Sequence, residues 1–175
     1  MEQVVMYTKD DILKLLDERG VWYHCDNHIP VFDMTAVSSI TLTYPDAEAK
    51  NLFLRDDKKR NFYLLVVRGE RRVDLKKVRL SLGLRPLSFA SEDDLESVLA
   101  LTKGSVTPFG LLNDTEHRTI CFIDRDFLSS DGLIGVHPND NSATVVLKTE
   151  DLTAILSQYG TDVRTVSFDC DEKEN

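Results

Sequence analysis

Three short segments of this chain set polar or charged side chains where an apolar element begins or ends. In Ala49-Lys50-Asn51-Leu52-Phe53-Leu54, a lysine and an amide open an apolar strand. That places a cation at the rim of the core, where it either holds an anion or only lays its stem over apolar surface. In Gly104-Ser105-Val106-Thr107-Pro108-Phe109-Gly110, two glycines and a proline fix a loop. Its free backbone N–H groups could receive an oxyanion or a phosphate, and an ordinary turn would look the same. In Val136-His137-Pro138-Asn139-Asp140-Asn141, a histidine ends a strand before a polar turn, as a working imidazole or as a satisfied one.

Other chemistries find less support. His24-Cys25-Asp26-Asn27-His28 offers metal ligands, but Pro30 and the β-rich Val21–Tyr23 argue against the helix that would align His24 with His28. No second cluster with zinc spacing exists, so no metal site is expected. There is no G-x-S-x-G elbow, no Walker A loop and no G-x-G-x-x-G. Cys121 lies inside the apolar run Thr119–Ile123, which suits a buried small hydrophobe better than a nucleophile. Asp124 and Asp126 at the end of that run suit a turn cap.

The elements that must position these segments alternate irregularly. Thr8 can cap a helix through Arg19 that stops at Gly20, and a short strand follows at Val21–Cys25. Met34–Ile40 reads as a short helix. Strands at Asn51–Arg55 and Phe62–Val67 flank the turn Asp56–Arg60, and the unbroken run Leu64–Val67 predicts burial on both faces. Asp74 caps a basic helix to Leu82, closed by Gly83, and Leu87–Phe89 is a short strand. Ser91 caps a helix to about Leu101 whose first turn carries Glu92, Asp93 and Asp94, where the helix dipole favours acids. Strands follow at Arg118–Ile123, Gly132–Val136 and Ala143–Leu147. Thr149 is the expected cap of a last helix to Tyr159, and Val163–Phe168 closes the fold as a strand. This pattern predicts an α+β fold: a mixed, mostly antiparallel central sheet or small barrel of about seven strands with helices outside.

A chain of 175 residues is most simply one domain, assigned to residues 1–168, with an acidic tail at 169–175. At 42% hydrophobic and 29% charged residues, it has the composition to bury a core, which excludes wholesale disorder. No run approaches the ~18 apolar residues of a membrane span. The start MEQVVMYTKDDILK lacks the apolar stretch of a signal peptide. Cys25, Cys121 and Cys170 are odd in number and far apart, which fits a reducing cytoplasm. Net charge is −9, yet twelve basic and four acidic residues between Lys50 and Pro86 leave that window at +8 and the remainder at −17. Such a local field can steer a polyanion, although basic clusters also occur as solvated faces.

In this order, K-N-L-F-L-R-D, a G-x-x-x-P loop followed by F-G, and H-P-N-D-N before an A-T-V strand resemble the YbaK/prolyl-tRNA-synthetase-associated editing domain family. The likeness is greatest to its freestanding ProX branch, the Ala-tRNA(Pro) deacylases, and runs from about Tyr7 to Phe168. It implies a fold of mixed β-barrel character with surrounding helices. It also implies hydrolysis of the ester between a mischarged amino acid and the 3′ adenosine of tRNA, with no cofactor, metal or protein nucleophile.

Carried onto this sequence, the resemblance makes Lys50 the essential lysine, holding a phosphate or the aminoacyl backbone, with Asn51 beside it. Gly104, Ser105, Thr107 and Pro108 belong to the loop whose amides would hold the oxyanion. His137 stands at the pocket rim, orienting substrate or water. Phe32, Met34 and Phe109 are candidate walls of a pocket that admits alanine but not proline, or else ordinary core. Arg72, Lys76, Lys77, Arg79 and Arg85 are candidates for phosphates of the acceptor end of tRNA(Pro). The expected protein is a cytoplasmic monomer without membrane contact, with prolyl-tRNA synthetase as a conceivable partner. Three readings compete with Ala-tRNA(Pro) hydrolysis: a deacylase for Cys- or Ser-charged tRNA, a non-catalytic tRNA-binding regulatory module, and a binder of free amino acids.

Overall fold

A computed structural model describes residues 6–30 and 41–168. The helix expected at Met34–Ile40 and the acidic tail lie outside the described residues. Thr8 caps α1 (Lys9–Glu18) in a reciprocal box with Asp11, and Gly20 leaves the helix at φ +64°. β1 covers Tyr23–Asn27, two residues later than the Val21–Cys25 expected. The shift follows from pairing, because β7 (Ala143–Lys148) aligns antiparallel with it from Tyr23↔Leu147 to Asn27↔Ala143. Backbone pairing thus carries the polar Asp26 and Asn27 into the strand.

β2 (Ala49–Asp56) and β3 (Phe62–Arg68) form an antiparallel hairpin. The Asp56 carboxylate closes its turn by accepting from the Arg60 N–H at 3.0 Å and Asn61 Nδ2 at 2.8 Å. Phe62 through Val67 are all buried, as the continuous apolar run requires. α2 (Leu75–Leu82) is capped by the Asp74 carboxylate on the N–H groups of Lys76 and Lys77, and ends at Gly83. β4 (Leu87–Phe89) lies on the outer edge of β2.

The helix begun at Ser91 is shorter than expected. It runs as α3 (Glu92–Asp94) into a π-helical turn at Leu95–Leu99, and Ala100 turns left-handed at φ +53°. Packing dictates that end. A Cβ on Gly110 would lie 2.5 Å from Leu101 Cδ1, so Leu101 is drawn out of helical register onto the bare glycine backbone. After β5 (Thr119–Asp124) and β6 (Leu133–Val136) comes α4 (Thr149–Gln158). Thr149 does not cap it: Lys148 holds the cap position, and the Thr149 hydroxyl is spent on the Phe127 carbonyl at 2.9 Å. β8 covers Asp162–Val166.

The eight strands form two sheets, ordered β1-β7-β6 and β4-β2-β3-β5-β8. Four pairings are antiparallel; β3–β5 and β5–β8 are parallel. The mixed, mostly antiparallel α+β architecture is as the sequence implies, but with eight strands and no closed barrel among the described residues. Among the described residues, one isolated parallel bridge, Glu48↔Gly135, joins the two sheets. The main core draws on both sheets and takes Ile12 and Leu16 from α1 and Leu152, Ile155 and Leu156 from α4. A second core, around Leu54, Leu65 and Val67, lies on the opposite face of the larger sheet beneath Val78 of α2.

Candidate active site

The bridge between the sheets brings two of the three segments together. Counted in the parallel direction from Glu48↔Gly135, Lys50 and His137 are each two residues on, so strand alternation puts them on one face. That face is the outer one. Ala49 and Val136, one residue on from the bridge, both pack into the main core, and Lys50 shares its register with Val67 of the second core. Asn51, next to Lys50, faces the opposite way, in register with Val66 of the main core. Its Oδ1 is buried without a hydrogen-bond partner among the described residues. Lys50 Nζ donates to the Arg71 carbonyl, and Arg71 in turn pairs with Asp124 and Asp126.

The glycine loop is clasped directly to the histidine. The Thr107 hydroxyl, with Thr107 fully buried, donates to the His137 carbonyl at 2.5 Å and accepts from the Phe109 N–H at 3.3 Å. Gly104 sits at φ +90°, a conformation that favours glycine. The Ser105 N–H is bonded to the Thr102 carbonyl, whereas among the described residues no partner takes the N–H of Val106 or Thr107. Pro108 begins a 3-10 turn through Asn113. Asn139 secures the other side, donating through Nδ2 to the Tyr7 carbonyl at 2.8 Å and the Phe109 carbonyl at 3.4 Å.

The tautomer of His137 follows from its partner. Nδ1 lies 2.8 Å from the Ala143 carbonyl, which only accepts, so Nδ1 carries the proton and Nε2 keeps a lone pair. Burial pushes the imidazole pKa below its ordinary 6.5, outweighing the hydrogen bond to Ala143 that pulls it up, and nearby His28 lowers it further against the weaker pull of Asp140. The His28 ring lies 6.1 Å from that of His137 and is held by Thr144 Oγ1 at 2.9 Å. Glu48 is near enough to feel His28, and burial raises its own carboxyl pKa.

The folded state therefore favours neutral His137, while the unfolded chain protonates it at the ordinary value. Its stabilising contribution is full above about pH 6.5 and is lost as pH falls through the lowered folded pKa. An activity that needs the Nε2 lone pair should fall on the acid side with a midpoint below 6.5. A pH–rate profile set beside an NMR titration of the His137 ring checks this, and a shared midpoint at or above 6.5 would refute it.

The remaining expected residues are scattered. Phe109 is fully buried in the main core; Phe32 and Met34 lie outside the described residues. Arg72, Lys76 and Lys77 are exposed along the start of α2, and Arg79 is half-buried. Arg85 is exposed but bonds Asp57 at 2.6 and 3.0 Å. Arg55 pairs with Asp94, and Arg68 bonds the carbonyls of Asp46 and Asp126, so part of the basic window is spent inside the fold. Cys121 is fully buried, with its thiol pKa raised by desolvation, and Asp124 caps the turn after β5, as their positions in the sequence suggest. Cys25 and Cys121 are unpaired thiols. A polar cavity of about 580 Å³ opens on the other side of the bridge, among Tyr44, Glu48, Arg68 and Asp131, and is lined by none of the expected catalytic residues.

Two residues lie outside the catalytic set that the sequence suggests: Asn139, which enters only as part of H-P-N-D-N, and His28, which enters only as a metal-ligand candidate. Asn139 had a signal: it stands at φ +59°, a conformation that asparagine tolerates, inside the quoted H-P-N-D-N. For His28 the signal was alternation along β1, which sets it on the face of His24 and Asp26.

The model of the aminoacyl-tRNA editing domain matches residues 28–155, a span that holds all three segments. The chain belongs to this family. As an editing domain it is an aminoacyl-tRNA hydrolase. The prolyl-tRNA editing protein ProX of Acetoanaerobium sticklandii is 40% identical over 163 residues, which cover 93% of this chain and 99% of that protein. Prolyl-tRNA synthetase associated domain-containing protein 1 of Danio rerio is 33% identical, with 92% of this chain and 88% of that protein covered. A solved structure of a candidate trans-editing enzyme for prolyl tRNA synthetase shares the fold, with a TM-score of 0.62 and 18% identity over 94% of this chain and 99% of that one. Among the described residues, no helix of this editing domain is long and apolar enough to cross a membrane.

Proposed function

We propose that this editing domain acts in trans on Ala-tRNA(Pro), releasing alanine and free tRNA(Pro) without a metal ion or a protein nucleophile. The observation that carries the reading is the Thr107 clasp, which holds two loop amides, without a partner among the described residues, at a fixed place beside His137. Those amides, of Val106 and Thr107, suit the oxyanion formed when water adds to the ester carbonyl. The lone pair on His137 Nε2 orients that water. The new C–O bond forms from water, the bond to the ribose oxygen breaks, and the water proton ends on that oxygen. Lys50, on the same outer face, holds a phosphate of the terminal nucleotide as a point charge.

The side chains that could have served as nucleophiles support this reading. Cys121 is buried as a thiol, and Thr107 gives its proton to a carbonyl rather than to a base. Arg72, Lys76, Lys77 and Arg79 meet acceptor-stem phosphates in this reading, whereas Arg85 is already matched by Asp57. A synthetase site large enough for proline loses only about 1–3 kcal/mol on alanine, so a second site that admits alanine and excludes proline supplies the missing discrimination.

The test is deacylation of Ala-, Pro-, Cys- and Ser-charged tRNA(Pro). Clearance of the alanyl ester with the prolyl ester left intact is the expected result. Preference for the cysteinyl or seryl ester would move the substrate assignment, and hydrolysis of none would leave a tRNA-binding role.

A further inference from the structure

We propose that Trp22 and Tyr44 form a stacking platform for the unpaired nucleotides that precede the terminal adenosine; the inference rests on the aminoacyl-tRNA reading above. Val21, Tyr23 and Cys25 pack into the main core, so Trp22, His24, Asp26 and His28 alternate onto the outer face, the face of His137. Trp22 is 48% exposed, a large aromatic surface left to solvent. It is nevertheless held in place. Tyr44 meets it edge-on with centroids 6.0 Å apart, and meets His24 at 5.6 Å.

A hydrogen-bonded node sets the segment that carries Tyr44. The Asp26 carboxylate accepts from the Thr43 N–H at 2.9 Å and the Thr43 hydroxyl at 2.8 Å, and His24 Nε2 lies 2.9 Å from it. His24 and His28 are four residues apart on extended chain, about 13 Å. The platform therefore lies about that far along the outer face from His28, whose ring adjoins that of His137.

Charge selects what binds there. Asp46 and Glu48 line the cavity that Tyr44 borders, where Arg68 is held by the carbonyls of Asp46 and Asp126, and carboxylates repel phosphate but accept from the exocyclic amino groups of cytosine and adenine. Aromatic rings beside such acceptors suit bases rather than backbone. Stacking on them is worth about fivefold or more in affinity per base.

Trp22 is the sole tryptophan, so its fluorescence reports the platform directly. Titration of the wild-type protein with the RNA trinucleotide CCA should quench this emission saturably, and inorganic phosphate should not. Trp22→Ala and Tyr44→Ala should each raise KM for aminoacyl-tRNA about fivefold or more. The loss should be smaller on alanyl-adenosine, which lacks the preceding nucleotides, and Trp22→Phe should restore much of it. Absence of quenching by CCA, or equal losses on the two substrates, would overturn the platform. Because the quenching is read on uncharged RNA, the two readings fail separately. Quenching without ester hydrolysis removes the deacylase and keeps the platform; hydrolysis without quenching does the reverse.

Discussion

Lys50→Ala should lower hydrolysis of the alanyl ester by about 10²-fold, the scale of misplacing the ester by about 1 Å against the loop amides when the phosphate loses its anchor. Lys50 stands on the outer face two residues past the inter-sheet bridge, level with His137, and its ammonium rests on the Arg71 carbonyl. A lysine parked on a neutral carbonyl keeps its positive charge available to an anion, unlike Arg85 or Arg55, whose charges are already matched by carboxylates. Affinity for tRNA should change far less, because one phosphate contact among several is lost. Lys50→Arg should not restore the rate, since a planar fork does not reproduce a compact point charge. Single-turnover deacylation beside a filter-binding measurement separates the two effects. A variant that binds and hydrolyses like wild type would remove Lys50 from the chemistry; one that loses binding and rate in equal measure would make it a docking residue.

Thr107→Val should cost both stability and rate. Valine preserves shape and volume but deletes the hydroxyl that donates to the His137 carbonyl and accepts from the Phe109 N–H. Thr107 is fully buried, so water is poorly placed to replace either partner, and an unsatisfied buried group costs about 1–3 kcal/mol. The rate should fall further than stability alone predicts, because the clasp sets the distance from the loop amides to His137. A misplacement of about 1 Å in such a site costs on the order of 10²-fold. Urea unfolding and deacylation on the same samples check both halves. Thr107→Ser, which keeps the hydroxyl, should recover most of the rate. If Thr107→Val were less stable but fully active, the clasp would be structural only.

Much of the scaffold was legible because its signals are local. Thr8, Asp74 and Gly83 announce helix ends through bonds made within a turn, and the run Leu64–Val67 announces a strand buried on both faces. Misreadings arose where a distant neighbour decided the matter. Thr149 looks like a helix cap, but its hydroxyl goes to Phe127 on another segment. The helix after Ser91 gives way because Leu101 packs against Gly110. β1 lies where β7 pairs with it.

By itself, the sequence determined the three chemical segments and their order, the family they belong to, and the basic stretch between Lys50 and Pro86. Side-chain type and spacing along the chain carry that information. Only the tertiary structure decided which of Lys50 and Asn51 faces the main core, that Lys50 shares a face with His137, and that Thr107 holds the loop to that histidine. The first two depend on the register of β2 against β3 and on the bridge from Glu48 to Gly135, residues some eighty apart in the chain. A shift of one residue there would turn every side chain to the other face, and no local pattern records which register the packed core selects.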